Sequence, residues 1–274
     1  MANKKKMPVK ATESTVNPST DKKSLTGGFR KASMTALLVI GIAIFSSIAL
    51  FTALLVMAHT SNIKAANAEY ESLREIADDV LIESDEFGMI KLSALEEEML
   101  QINPDYVCWI RIDGTGVDYP VVRGNDNEKY LEISFHGEQR KTGTVFMDYR
   151  NYGDLLNYHI GENIPNIIIY GHNLQQGGIF SDLHKYLSKQ FLENNRMITL
   201  IVNDQLIEFE IFSARLSDIQ DPAYFLNFED SRSFPRFANR IDAPLRATQI
   251  ITLSTCTTGG SDDERLIIQG YRVV

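Results

Sequence analysis

Ile250-Ile251-Thr252-Leu253-Ser254-Thr255-Cys256 is a β-branched, apolar run that empties into Thr257-Thr258-Gly259-Gly260. Eight residues separate it from a second apolar run, Arg265-Leu266-Ile267-Ile268. Strand side chains alternate between faces, so Ile250, Thr252, Ser254 and Cys256 share one side and Ile251, Leu253 and Thr255 the other. The second run reads as the antiparallel partner of the first, which brings the Arg265 guanidinium beside the Cys256 sulfur. A fixed positive charge favours thiolate over thiol, the reactive form of cysteine. A lone strand cysteine is also often a small buried hydrophobe, so this pair alone leaves both readings open.

Working outward, Asn166-Ile167-Ile168-Ile169-Tyr170 is a second buried-strand run, and it breaks at Gly171-His172-Asn173. An imidazole therefore also sits at a strand's carboxyl end. Cysteine with a sequence-distant histidine is the pairing expected of thiol acyl transfer. Among five histidines, His172 alone ends a buried strand. His59 abuts a long apolar run, His136 and His159 lie in polar stretches, and His184 falls on an expected helix. Arg265 keeps its proton at any workable pH, so it can hold a carbonyl or an oxyanion but cannot act as a base.

Together these stretches resemble the class B sortases, cysteine transpeptidases of Gram-positive cell surfaces. The resemblance rests on Tyr170-Gly171-His172, Thr252-Leu253-Ser254-Thr255-Cys256 and Arg265. It extends through Asn103-Pro104-Asp105 before Trp109-Ile110, Asp118-Tyr119-Pro120-Val121-Val122, Asp126-Asn127 with Tyr130-Leu131, and Phe146-Met147-Asp148-Tyr149-Arg150-Asn151. It implies that Cys256 attacks the Thr carbonyl of an Asn-Pro-x-Thr sorting signal on a secreted surface protein. His172 then protonates the leaving amine, Arg265 steadies the oxyanion, and a thioacyl-enzyme forms. An amine of a peptidoglycan precursor, or a pilin Lys, resolves it. Ser254, Asn127, Leu131 and Tyr224 are the substrate-binding positions so implied. Ser254 also reads as a strand hydroxyl bonded to a neighbour. Asn173, Asp148 and the acidic loop around Asp262 stay open as orienters of His172.

Periodicity alone supports a mainly β domain and leaves barrel and sandwich open. Strands are expected at 106–112, 117–122, 144–148, 166–170, 197–202, 205–215, 250–256 and 265 to the end, with a tight turn at Asn203-Asp204. The resemblance implies an eight-stranded barrel. Helical insertions are expected at 179–193, with Phe180, Leu183, Leu187 and Phe191 on one side, and within 221–240. There the family carries a long helix beside the substrate groove, and Tyr224 or Phe225 either lines that groove or packs on the barrel.

From Ala36 to Ala58 no charged residue occurs, a run long enough to cross the hydrocarbon layer as a helix and too long for a cleaved signal. Eight Lys and Arg and two acidic residues precede it, so the basic side stays in the cytoplasm and the rest lies outside. The expected organisation is therefore a cytoplasmic tail (1–35), a single plasma-membrane span (36–58), extracellular helices (59–103) and a catalytic barrel (104–274). Tyr70, Leu73, Ile76, Ala77, Val80 and Leu81 predict an amphipathic helix, and Leu92, Leu95, Met99 and Ile102 a shorter one, with a break at Glu86-Phe87-Gly88. That break argues against a coiled-coil stalk.

The tail carries +6 of a total of −9, leaving −15 on the remainder, which disfavours a nucleic-acid partner. Two cysteines form no disulfide framework, and Cys108 reads as core filler sharing a face with Ile110 and Ile112. No Cys/His cluster has ligand spacing and no phosphate loop occurs, so neither a metal nor a cofactor is expected. Two other readings remain beside the transpeptidase: a membrane-tethered cysteine hydrolase with the same dyad, and a peptide-binding surface module without activity.

Overall fold

The computed structural model describes residues 26–82, 92–151, 155, 164–174, 178–203, 205–256 and 263–273; the side chains of 26–33, 79–82, 92–93 and 256 fall outside that description. The chain divides into two compact units, 1–56 and 57–274. Helix α1, Thr26–Ile82, contributes to both. In the first unit its apolar side chains from Met34 to Val56 are exposed, and the helix is long and apolar enough to cross a membrane.

In the second unit, the later turns of α1 bury Ile63, Ala66, Tyr70, Leu73 and Ala77 at alternating spacings of three and four. The apolar stripe thus starts at Ile63, about two turns earlier than the sequence suggested, while Val80 and Leu81 lie outside the described side chains. Tyr70 meets Tyr119 edge to face at 4.6 Å, and Arg111 bridges to Asp78 at 3.3 Å. Helix α2, Leu92–Ile102, buries Leu95 and Met99 as its spacing predicts. The expected break at Glu86-Phe87-Gly88 lies outside the described residues.

Eight strands close a barrel in the order β1-β2-β3-β4-β7-β8-β6-β5. They are β1 (Tyr106–Ile112), β2 (Asp118–Val122), β3 (Phe146–Met147), β4 (Asn166–Tyr170), β5 (Met197–Val202), β6 (Gln205–Asp218), β7 (Ile250–Cys256) and β8 (Glu264–Arg272). Of the two alternatives left by periodicity, the chain adopts the closed one, which leaves no sheet edge unpaired. Two pairings are parallel, β2 with β3 and β4 with β7. Asn203 adopts φ 42° in the turn joining β5 to β6, as a tight hairpin requires. The core holds Ile251, Leu253, Leu266 and Ile268 together with Ile167 and Ile169. Cys108 is fully buried in it, as expected of core filler, and burial pushes its thiol pKa up.

Both insertions differ from the sequence expectation. Residues 179–193 do not form one α-helix: Ser181–Leu187 is a 3-10 turn, Ser188 is extended, and α3 covers only Lys189–Asn194. With three residues per turn, Phe180, Leu183 and Tyr186 share the buried face, and Leu187, expected on it at the α-helical period, is exposed. Between 221 and 240 there is no long helix. A turn at Pro222–Tyr224 precedes the eight-residue α4, Ser233–Arg240. Asp221 caps that turn by accepting from the Ala223 amide, and Phe225, Phe228, Phe234 and Phe237 form a second small core with Ile250 and Tyr271. The aromatic richness of this segment therefore builds a packed pad in place of helix length.

Candidate active site

Strand register positions the site. Along the parallel β4/β7 seam, Tyr170 lies opposite Ser254, so His172 and Cys256 each stand two residues further along neighbouring strands. Such strands run about 4.8 Å apart. Across the β7/β8 hairpin, Cys256 lies directly opposite Arg265, the register read from the sequence. The backbone thus brings Cys256, His172 and Arg265 to one end of the barrel. The Cys256 thiol itself lies outside the described side chains, as does the loop at 257–262.

A groove of about 430 Å³ opens there, within the range of small-ligand sites. His172, Arg265, Ser254, Asn127, Leu131 and Tyr224 all line it, so every described side chain expected to be catalytic or substrate-binding reaches the same space. Among the other histidines, His136 pairs with Glu69, His184 lies in the 3-10 turn, His59 lies on α1, and His159 is outside the described residues.

Gly171 sets the exit of β4. A Cβ there would meet Phe180 Cγ at 2.7 Å, so only glycine lets the chain pass. Its amide donates to the Ser254 carbonyl, extending the seam one residue past the strand. His172 is half-buried, and its Nε2 lies 2.8 Å from the carbonyl oxygen of Leu131. A carbonyl only accepts, so Nε2 carries the proton and the neutral ring keeps its lone pair on Nδ1. The described partner of the imidazole is this main-chain oxygen. Asn173 forms a backbone bridge with Ile179, the acidic loop lies largely outside the described residues, and Asp148 bonds to other groups. A main-chain oxygen has no side-chain signature, which is why the sequence did not disclose it.

Asp148 is fully buried and accepts from the Tyr170 hydroxyl at 2.9 Å, Asn127 Nδ2 at 3.0 Å, and Arg150 through Nε and Nη2 at 2.8 and 2.7 Å. Burial alone would raise its pKa; the hydrogen bonds from Arg150, Asn127 and Tyr170 outweigh burial and hold the carboxyl below the usual range. An acidic residue directly after the apolar Val145-Phe146-Met147 run was the available signal, because a buried carboxylate needs partners.

Tyr224 stacks on Tyr170 with ring centroids 6.5 Å apart, and its hydroxyl meets Ser254 Oγ at 2.7 Å. Phe225 instead packs on Phe228 and Phe237, so the two roles weighed for this aromatic pair are divided between them. A buried relay supports the Tyr224 turn: Arg215 donates to Gln269, Gln269 to Thr252, and Thr252 to Asn166 Oδ1. Asn166 Nδ2 then donates to the carbonyls of Ala223 and Phe225. Arg215 also holds Asp221, the cap of the same turn, at 2.6 Å.

Residues 110–273 match the family model described as Sortase domain. The chain belongs to the sortase family. It is similar to Sortase B of Staphylococcus aureus, 29% identical over 220 residues, covering 77% of this chain and 86% of the relative. Sortase B of Listeria monocytogenes is 31% identical over 188 residues, covering 64% of this chain and 73% of the relative. The solved Staphylococcus aureus sortase B–substrate complex superposes with a TM-score of 0.64 at 26% identity, covering 78% of this chain and 98% of that one. The chain is thus a cysteine transpeptidase of the class B type, and the sortase family acts on sorting-signal substrates.

Proposed function

We propose that this sortase cleaves an Asn-Pro-x-Thr sorting signal with Cys256 as nucleophile, His172 as proton donor and Arg265 as the group that steadies the oxyanion. The observation that carries the reading is the double register: Tyr170 opposite Ser254 and Cys256 opposite Arg265 bring the three residues to one groove end. The Cys256 thiol passes its proton to His172 Nδ1 as its sulfur adds to the Thr carbonyl carbon, and the carbonyl π electrons move to oxygen, where the Arg265 guanidinium meets the developing charge. Collapse of the tetrahedral species breaks the C–N bond, and His172 delivers a proton from Nδ1 to the departing amine. A thioester remains on Cys256. An acceptor amine attacks it, His172 takes the amine's proton, and the thiol leaves. Ser254, Asn127, Leu131 and Tyr224 form the walls that hold the signal.

The acceptor is the amine of a peptidoglycan precursor or a pilin Lys. Residues 36–58 form the plasma-membrane anchor, with the basic tail inside and the barrel, 104–274, outside, because Lys and Arg crowd the amino-terminal flank. Incubation of the full-length chain in detergent with an Asn-Pro-x-Thr peptide and a free amine tests the reaction. Amine-linked product that depends on Cys256 is expected. Hydrolysis alone with excess amine present would replace this reading by the hydrolase.

A further inference from the structure

We propose that Asp148 is a positioning residue for His172, fixing through two separate arms the ring and the carbonyl that holds it. One arm is Tyr170, whose hydroxyl donates to Asp148 Oδ2 at 2.9 Å and whose backbone ends β4 two residues before His172. The other is Asn127. Its Nδ2 donates to the same oxygen at 3.0 Å and its Oδ1 accepts from the Tyr149 amide at 3.0 Å, which ties the segment entering the 3-10 turn Lys129–Leu131 to the end of β3. That turn finishes on Leu131, whose carbonyl accepts from His172 Nε2. One buried carboxylate therefore holds the strand that carries the imidazole and the turn that carries the imidazole's acceptor.

The charge state suits the task. Arg150 neutralises Asp148 through Nε and Nη2, and its backbone amide fills Oδ1 at 3.0 Å. Five donors surround the carboxylate, so it can take only one orientation without leaving a donor unmet. An amide of the same shape would present its own N–H groups to those donors. Geometry then loosens by a fraction of an ångström at each arm, and proton transfer is steep in such displacements. Asp148 touches neither His172 nor, on this reading, the reacting atoms. Its effect belongs to the turnover step and not to capture of the signal.

The inference rests on His172 being the proton donor, and a His172→Ala control separates the two claims: cleavage surviving in that variant overturns the proposed function itself. With full-length chain in detergent, Asp148→Asn is expected to lower kcat for peptide cleavage about 100-fold while KM stays within about twofold. Nitrogen-15 NMR of histidine-labelled chain should show the His172 ring in a single Nε2–H tautomer in the parent and in a tautomer mixture in Asp148→Asn. A parent-like kcat and tautomer in Asp148→Asn, with His172→Ala inactive, overturns the positioning role alone. If Asp148→Asn does not fold, Tyr170→Phe and Asn127→Ser each remove one arm. Each should retain the parent melting temperature to within a few degrees and lose kcat, with the pair losing more than either. Parent kcat in both contradicts the proposal.

Discussion

On the His172 side of the groove, a fully buried carboxylate gathers Tyr170, Asn127 and Arg150, the contacts through which it is proposed to position the imidazole. On the Tyr224 side, the turn is held by neutral groups, Gln269, Thr252 and Asn166, with charge at the Arg215–Asp221 end. The two walls meet at the stacked Tyr170 and Tyr224 rings. A carboxylate with five donors is stiff, since each misplaced donor leaves a buried charge unmet. A relay of amides and hydroxyls holds a shape with less penalty for small shifts. On the proposed mechanism, one wall fixes the reacting atoms and the other receives the sorting signal, so damage to the two should separate in kinetics.

The largest separation is expected from the catalytic end. Cys256→Ala removes the nucleophile and should leave no measurable cleavage, while His172→Ala and Arg265→Ala should each lower kcat by about 10² to 10⁴. Steady-state assays with a sorting-signal peptide check this, and a pure KM effect from His172→Ala would erase the contrast between walls. On the other side, Tyr224→Ala should raise KM about tenfold, near 1.4 kcal/mol, with kcat little changed. Asn166→Ala leaves the Ala223 and Phe225 carbonyls without their donor. It should cost about 1–3 kcal/mol in denaturant unfolding and raise KM in the same direction.

Acid sharpens the comparison, because each wall has a carboxyl held below its ordinary pKa. For Asp148 and for Asp221, burial raises the pKa and is outweighed by hydrogen bonds, led by Arg150 in the first case and Arg215 in the second. A carboxyl with a lower pKa folded than unfolded contributes stability that is fully present above the unfolded value. That contribution is lost as pH falls from about 4 through the folded value. Melting temperatures measured between pH 6 and pH 3 should therefore drop on the acid side, and Asp148→Asn and Asp221→Asn should each flatten the drop. An acid limb unchanged in both variants would contradict the assignment. The smallest effect is expected far from both walls: Cys108→Ala should cost about 1 kcal/mol without altering turnover. In the native parent chain, a thiol reagent should modify one cysteine, Cys256.

Much of this was legible in the chain. Alternation fixed the faces of β7, and a glycine-containing loop before Arg265 fixed the hairpin, so the Cys256–Arg265 register followed from the residues themselves. His172 was recognisable because a buried run stops at Gly171. Barrel closure was not, since strands of this length suit a sandwich equally, and only resemblance selected between them. The 3-10 turn at 181–187 looks α-helical in the sequence because Leu183 fits both periods and Leu187 fits only the α-helical one. β6 runs past Arg215 through Leu216, Ser217 and Asp218, where the partner strand β8 continues to pair although exposed polar residues suggest a loop. The Leu131 carbonyl and the last link of the Asn166 relay stayed hidden for one reason: the acceptor in each is a main-chain atom, which any residue type supplies.

The most direct test is intact-mass spectrometry of the full-length chain after brief exposure to an Asn-Pro-x-Thr peptide, with peptide mapping of the adduct. The account predicts an acyl group in thioester linkage on Cys256 that disappears when an amine is added and reappears on that amine. A chain that cleaves the peptide while Cys256 stays unmodified, or an adduct mapped to another residue, would contradict it.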